Sequence, residues 1–281
     1  MKSLNENIFH QYNRWKNGYE RKENSLLIRL NNFLSNNKDR YANAYHISKD
    51  GKHIDCDESV EITDSDLIDC KLPFPFGTVY GDFNCSECDE LISLEGAPKE
   101  VCRSFISYSC PNLTSLEGAP EKVGKNFFCG SCSKLTSLKG ATKRIVGDFS
   151  CTHSPSLISL EGAPKEVGRN FYTYSCPNLT SLIGAPEKVG DGFSFGNCPK
   201  LTSVKGAPKE VGGGFNCRDC EKLKSLEGVP EKVGKWFNCV DCDSLTSLEH
   251  LPKEIGEELR VDKRFEGKIP SDIKYTKIQY Y

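Results

Sequence analysis

Cysteines at short, fixed intervals are the residues in this chain best placed to do chemistry. Four C-x-x-C pairs occur, at Cys85/Cys88, Cys129/Cys132, Cys217/Cys220 and Cys239/Cys242. The last two pairs read C-x2-C-x18-C-x2-C, a spacing with which zinc ribbons gather four thiolates around one tetrahedral ion. Cys217, Cys220, Cys239 and Cys242 are therefore the candidate metal ligands. The corresponding places elsewhere argue against that reading. Ser107, Thr173 and Phe195 stand where other units have the first cysteine of the pair. A packing position accepts that exchange, and a ligand position does not. The expectation is buried free thiols, no metal and no cofactor.

The remaining reactive groups form no catalytic set. His10, His46, His53, His153 and His250 are scattered, and none lies at catalytic spacing from a serine or cysteine. There is no phosphate-binding loop, no H-E-x-x-H and no G-x-S-x-G. The glycines recur in turn positions, so an enzyme would have to be built within residues 1–80, where no constellation is visible. The expectation is a protein that is not an enzyme.

Composition narrows the setting. A net charge of -2 gives no global field for nucleic acid. The start, Met1-Lys2-Ser3-Leu4-Asn5-Glu6-Asn7, is polar and lacks the apolar core of a signal peptide. No apolar run is long enough to span a bilayer. The 15 cysteines are an odd number in a chain without an export signal, which predicts a reducing, cytoplasmic setting.

The elements that hold these residues follow from one period. Phe83, Phe105, Phe127, Phe149, Phe171, Phe193, Phe215 and Phe237 recur every 22 residues. Each opens a unit F-x-C/S-x-x-C-x-x-L-x-S-L-x-G-A-P-x-x-V-G. A fixed period of this size signifies a solenoid, whose units bury their apolar faces only against their neighbours. In residues 105–126, Phe105 and Ser107 alternate with Ile106 and Tyr108 as on a short strand. Cys110, Leu113 and Leu116 then recur every three residues, which predicts a tight irregular path. Gly118-Ala119-Pro120 predicts an extended, polyproline-like return. Val123 points inward again before Gly124. Stacked units make columns of Leu91 to Leu245, of Val101 to Ile255 and of Ser93 to Ser247. The serine hydroxyls are placed to satisfy the backbone of a turn.

The core F-x-C-x-x-C-x-x-L resembles the leucine-rich-repeat consensus L-x-x-L-x-L-x-x-N/C-x-x-L. The phenylalanines take the middle strand leucine. Cys88, Cys110, Cys132, Cys176, Cys198, Cys220 and Cys242 take the Asn/Cys ladder site, with Ser154 the exception. The short return is similar to the helix-poor backs of bacterial effector leucine-rich repeats, but about two residues longer per unit. Similar arrays occur in uncharacterised bacterial and bacteriophage proteins. The resemblance covers residues 79–260. It implies a leucine-rich-repeat solenoid with a concave strand face and a helix-poor convex face, and it does not fix a function. Some effector ubiquitin ligases with such repeats carry their nucleophile in a C-x-D. Here Cys217-Arg218-Asp219 and Cys239-Val240-Asp241 are repeat positions, and too little chain follows them for a catalytic domain.

Four regions result. Residues 1–60 form an N-terminal helical or α+β cap. Residues 61–82 are a degenerate first repeat, 83–258 are eight repeats and 259–281 are a C-terminal cap. Within the first region, residues 3–35 predict helices. Ser3 and Glu6 suit a capping box, Ile8, Phe9, Tyr12, Trp15 and Tyr19 follow at helical spacing, and Leu26, Leu27, Leu30 and Leu34 mark a second segment. The alternative is that residues 1–60 are a separate effector module.

The outward strand positions vary while the scaffold columns do not, which is what a recognition surface needs. Ile106, Tyr108, Phe128, His153, Tyr172 and Tyr174 make an aromatic stripe on units two to five, and Trp236 adds an aromatic near the end. Arg218 and Asp241 are polar contacts in the last units. Arg103, Lys125, Arg169 and Lys235 make a basic flank. The expected function is binding of another protein through the concave face, as a steric inhibitor or scaffold in a bacterial or phage-infected cell. Two alternatives stay open: an effector acting in a eukaryotic host, and a zinc- or single-stranded-nucleic-acid-binding module.

Overall fold

The computed structural model describes residues 23–36 and 44–281. The capping box and the first helical stretch expected between Ser3 and Tyr19, with His10, lie outside the described residues.

Each 22-residue unit contributes two strands of two residues, such as Lys122–Val123 and Phe127–Phe128, with three at Trp236–Asn238. The Val strands pair with Val strands and the Phe strands with Phe strands, which produces two eleven-stranded sheets. Within the repeats the pairing is parallel and in register, so Val167 faces Val189 and Phe149 faces Phe171. The chain is therefore a β-solenoid with little helix. The sequence reading placed one strand per unit and an irregular return. The return instead straightens after Gly118-Ala119-Pro120 into the second sheet. Two residues are too few for period-two alternation to show in sequence, so only the valine column recorded this strand.

Between the sheets lies the core. The eight phenylalanine rings are fully buried, and consecutive rings stack at centroid distances of 4.9 to 5.7 Å. That range is where aromatic pairs gain energy beyond the area they bury. The leucine columns close the third side, where no ladder runs. There the chain turns tightly, with the Leu113 N–H donating to the Cys110 carbonyl (3.2 Å) and the Ala119 N–H to the Leu116 carbonyl (3.0 Å). Every serine of the Ser93 to Ser247 column accepts the backbone N–H two residues ahead, at 2.9 to 3.4 Å. The structure thus gives that column the turn-satisfying role its position implies.

A second corner was not visible in the pattern. The residue four after each core phenylalanine is left-handed: Glu87, Ser109, Ser131, His153, Ser175, Asn197, Asp219 and Asp241 all have φ between 55 and 58°. Asn, Asp and His tolerate this region best among non-glycine residues, and four of the eight are of those types.

The ends are built from the same ladder. Ile54–Cys56 pairs with Phe76–Val79, and Val60–Glu61 with Phe83–Asn84, so both sheets already run through residues 54–61. Tyr45–Ile47 adds one antiparallel strand. The helix Glu23–Asn36 buries Leu26, Leu30 and Phe33 against this end, with the Phe33 ring 5.4 Å from that of Phe74. At the other end Glu258–Val261 and Lys277–Tyr280 extend the Phe sheet by two strands. No helix among the described residues is long and apolar enough to cross a membrane.

Candidate functional site

Cys217 and Cys239 are equivalent rungs of one inward column, and Cys220 and Cys242 of the next; all four are fully buried. Each second-column thiol reaches back one turn. Cys242 Sγ donates to the Cys217 carbonyl (3.1 Å), Cys220 Sγ to Phe195 (3.6 Å) and Cys110 Sγ to Cys85 (3.1 Å). Seven cysteines repeat this bond, which makes the column a hydrogen-bonded ladder. Burial pushes Cys56 up to about 11, Cys88 and Cys198 to about 12, and Cys129, Cys151, Cys217 and Cys239 well above the ordinary thiol value. Such thiols stay protonated and unreactive at neutral pH. Among the described residues no three His, Cys, Asp or Glu side chains converge as metal ligands. The arrangement of these four is that of a packing ladder.

The outward face of the Phe strands carries the variable residues. Ile106 and Phe128 are adjacent rungs of one ladder and half-buried. Tyr108 stands beside them, 40% exposed, with Cε2 3.1 Å from the place a side chain on Gly130 would take. Ser150 and Thr152 then interrupt the aromatic surface, and their hydroxyls lie 3.4 Å apart. Beyond them His153 meets Tyr174 edge-on, ring centroids 4.9 Å apart, and Tyr172 is half-buried next to them. The expected continuous stripe is therefore two aromatic clusters separated by a hydroxyl rung. Burial raises the Tyr172 phenol above its usual range, helped by the nearby carboxylates of Asp148 and Asp191.

The second cluster borders a cavity of about 380 Å³. Its cause is one unit, Gly192-Phe193-Ser194-Phe195-Gly196, whose outward residues are the smallest of any repeat. Both phenylalanines point inward and are fully buried, so this turn has its bulk in the core and almost none outside. Gly214 on the following turn widens the gap. The side-chain ladder one column over runs from Asn126 to Asp148 to Asn170, each accepting the next backbone N–H, and ends at Gly192. Tyr172 and Tyr174 wall one side. On the other side the Trp236 indole folds back over Gly214, its ring occupying the space a Cβ there would need. The Arg260 guanidinium lies 5.2 Å from the centroid of that indole.

Arg218 and Asp219 complete the lining. Arg218 sits between two carboxylates, Nη2 2.9 Å from Asp241 and Nε 3.3 Å from Asp219. Desolvation raises the Asp219 carboxyl despite Arg218, and Asp241 adds to the rise. Tyr172, Tyr174, Trp236 and Arg218, expected on one face in separate units, thus border one cavity, and Asp241 pairs with Arg218 next to it. The residues missed are the ones that make the hollow: Gly192, Ser194, Gly196 and Gly214. Comparing outward side-chain volume between units would have found them.

The basic flank is largely neutralised. Arg103 pairs with Asp82 (3.9 Å), Arg169 with Asp148 (4.0 Å) and Lys235 with Asp191 (2.9 Å). Lys125 makes no ion pair among the described residues. The outer face of the Val sheet is likewise a charge ladder, as in Lys188–Glu210 (2.7 Å) and Lys232–Glu254 (2.6 Å). Exposed pairs of this kind add little stability. Exposed apolar side chains also occur off the Phe strands, at Ile92, Val146, Ile158 and Ile183, but the aromatic ones with a cavity between them are on the Phe-strand face.

No protein-family model matches the chain, and no curated protein and no solved structure is significantly similar to it.

Proposed function

We propose that this chain is a non-enzymatic recognition scaffold of the leucine-rich-repeat type that binds another protein through the outward face of its Phe strands. The observation that carries the reading is the aromatic-walled cavity of about 380 Å³ on that face. Tyr174 stays 42% exposed beside it and Tyr108 40% exposed in the neighbouring aromatic cluster, on a molecule whose Val-sheet face is a ladder of ion pairs. Exposed aromatics around a desolvated hollow are the usual anchors of an interface. The array is preorganised by two continuous sheets, so little order is lost on docking. Its action is steric: it covers a surface of its partner. The helix Glu23–Asn36 serves as a cap on the first turns. Cysteines buried without disulfides suit a reducing, cytoplasmic compartment.

The test is affinity capture with the wild-type chain beside Phe128→Ala/Tyr172→Ala/Tyr174→Ala, after circular dichroism has shown the variant to be folded. A partner held by wild type and released by the variant is the expected result. A partner retained equally by both would refute the assignment of this face.

A further inference from the structure

The cavity between Tyr172, Tyr174 and Trp236 carries a more specific reading, which rests on the proposed binding role of this face. We infer that it receives an arginine side chain of the partner, its guanidinium lying against the tyrosine rings and its charge directed at Asp219 and Asp241.

The first ground is shape. The notch spans the turns that begin at Phe193 and Phe215, so it is two strand spacings wide, roughly 10 Å. Its floor is backbone and small side chains at Gly192, Ser194 and Gly196. A slot between a flat floor and upright rings admits a plate-shaped group on a slender stem. The guanidinium is planar and stacks on aromatic faces, whereas an ammonium is a compact, strongly hydrated point charge. This surface already uses that contact once, in Arg260 beside Trp236.

The second ground is charge. Arg218 alone serves both Asp219 and Asp241. The neighbouring acids are matched one to one, Asp148 by Arg169 and Asp191 by Lys235. Two carboxylates therefore share one guanidinium at Asp219 and Asp241, while beyond Trp236 the balance is reversed, with Glu258 held by both Arg260 and Lys277; the carboxylate excess is local to the Arg218 side of the cavity. An anionic ligand meets that excess as repulsion. A neutral ring forgoes it, and a second guanidinium completes it.

The third ground is hydrogen bonding. The amides lining the floor are largely committed inward. Asn170 accepts from the Gly192 N–H and donates to Asp148, and Asn216 donates to Ser194 and accepts from the Arg218 N–H. Asn197, which also lines the cavity, donates its amide N–H to Ser175, and its amide oxygen has no donor among the described residues. The tyrosine hydroxyls have no partner among the described residues. The acceptors suit a ligand with several N–H donors in a fork.

The experiment uses the full chain carrying Trp15→Phe, so that Trp236 is the only tryptophan. The probes are acetyl-Gly-Arg-Gly-amide and its citrulline isostere, which keeps the shape and hydrogen bonds but loses the charge. Trp236 fluorescence should change saturably with the arginine probe, with a midpoint of about 1 mM. The citrulline probe should bind about tenfold more weakly. Asp219→Asn/Asp241→Asn should reduce the arginine response by a similar factor. Both positions have φ 58°, a conformation asparagine adopts readily, so the backbone is retained.

Equal binding of the two probes, or no saturable change at ten times the expected midpoint, overturns the inference. A response instead to acetyl-Gly-Phe-Gly-amide, or to a thymidine oligonucleotide, also overturns it and names the group that belongs there. These failures separate from failure of the broader reading. If the triple alanine variant releases its partner while the arginine probe gives nothing, the face binds but the cavity does not take a cation. If the probe binds and partner capture is indifferent to the alanines, the cavity is a cation site and the proposed interface is wrong.

Discussion

Replacing Ser154 with cysteine should stabilise the array. Seven of the eight units place a thiol in this inward column, with Sγ 3.1 to 3.7 Å from the carbonyl one turn back. In the fourth unit the residue is Ser154, fully buried, and its hydroxyl has no hydrogen-bond partner. The shorter C–O bond leaves Oγ short of the Cys129 carbonyl, which accepts from no donor among the described residues. A buried hydroxyl left unsatisfied costs about 1–3 kcal/mol. Cysteine removes that cost and restores the ladder bond, and the neighbouring turns show that the column accommodates sulfur, so overpacking is small. The net gain is about 1–2 kcal/mol. For a chain of this size that raises the thermal midpoint by about 2–4 °C. The assay is thermal and urea unfolding under reducing conditions, followed by circular dichroism. Ser154→Ala is the control, because it removes the unsatisfied group without adding a thiol, and it should be neutral or slightly stabilising. If Ser154→Ala costs more than about 1 kcal/mol, the hydroxyl has a partner and the reasoning fails. If Ser154→Cys lowers the midpoint, the column is not a uniform ladder.

Three further outcomes follow from the same interior. In the native state a chromogenic thiol reagent should titrate Cys102 first and Cys70 slowly, because the other cysteines are buried; in urea all 15 should react. Rapid reaction of more than two thiols in the folded protein would contradict the packing. Stability should fall on the alkaline side. The buried thiols have folded-state values raised to about 11 or 12 and above, against about 8.5 in the unfolded chain. Their contribution is complete below about pH 8.5 and is lost as pH rises towards those folded values, at about 1.4 kcal/mol per pH unit for each thiol. An unchanged urea midpoint between pH 8 and 10 would refute this. Gly140→Ala should destabilise by about 1–3 kcal/mol, because Gly140 has φ 99° and a Cβ there collides with the Leu116 carbonyl of the previous turn. Unfolding by urea measures it, and a cost below about 0.5 kcal/mol would show that the turn relaxes.

Much of this architecture was legible because a solenoid writes each contact many times. The phenylalanine, leucine, valine and serine columns each correspond to one inward or turn-satisfying place in the cross-section. Ser107, Thr173 and Phe195 pointed to a packing column for the first cysteines, and the thiol-to-carbonyl bonds of the second cysteines were not visible in the pattern. What stayed hidden is short or local. The second sheet uses two residues per turn, below the length at which alternation speaks. The left-handed corner is occupied by Glu, Ser, His, Asn and Asp in turn, a variability that resembles an unconstrained surface until the dihedral angles are seen. The rungs of the Phe sheet that flank the eight repeats carry Val60 and Leu259 in place of the phenylalanine that marks the eight turns between them.

The binding face was half legible for a related reason. A search for recognition residues looks for large side chains, and it found Tyr172, Tyr174 and Trp236. It had no reason to join them, since three turns separate the tyrosines from the tryptophan. What joins them is the absence of side chains at Gly192, Gly196 and Gly214, and the bulk of Phe195 moved to the inside of the same turn. The same turn shows how a repeat protein can acquire a specific site without disturbing its fold. Core columns are constrained by neighbours on both sides, so change there is held to exchanges such as Cys for Phe. Outward positions touch only the rungs beside them. A turn that sheds its outward side chains while filling its inward ones keeps the stack continuous and opens a pocket whose walls are supplied by its neighbours. The chemistry of such a pocket is then set by residues one and two turns away. This is why Asp219 and Asp241, at backbone positions fixed by the corner, decide the charge of a hollow that neither of them creates.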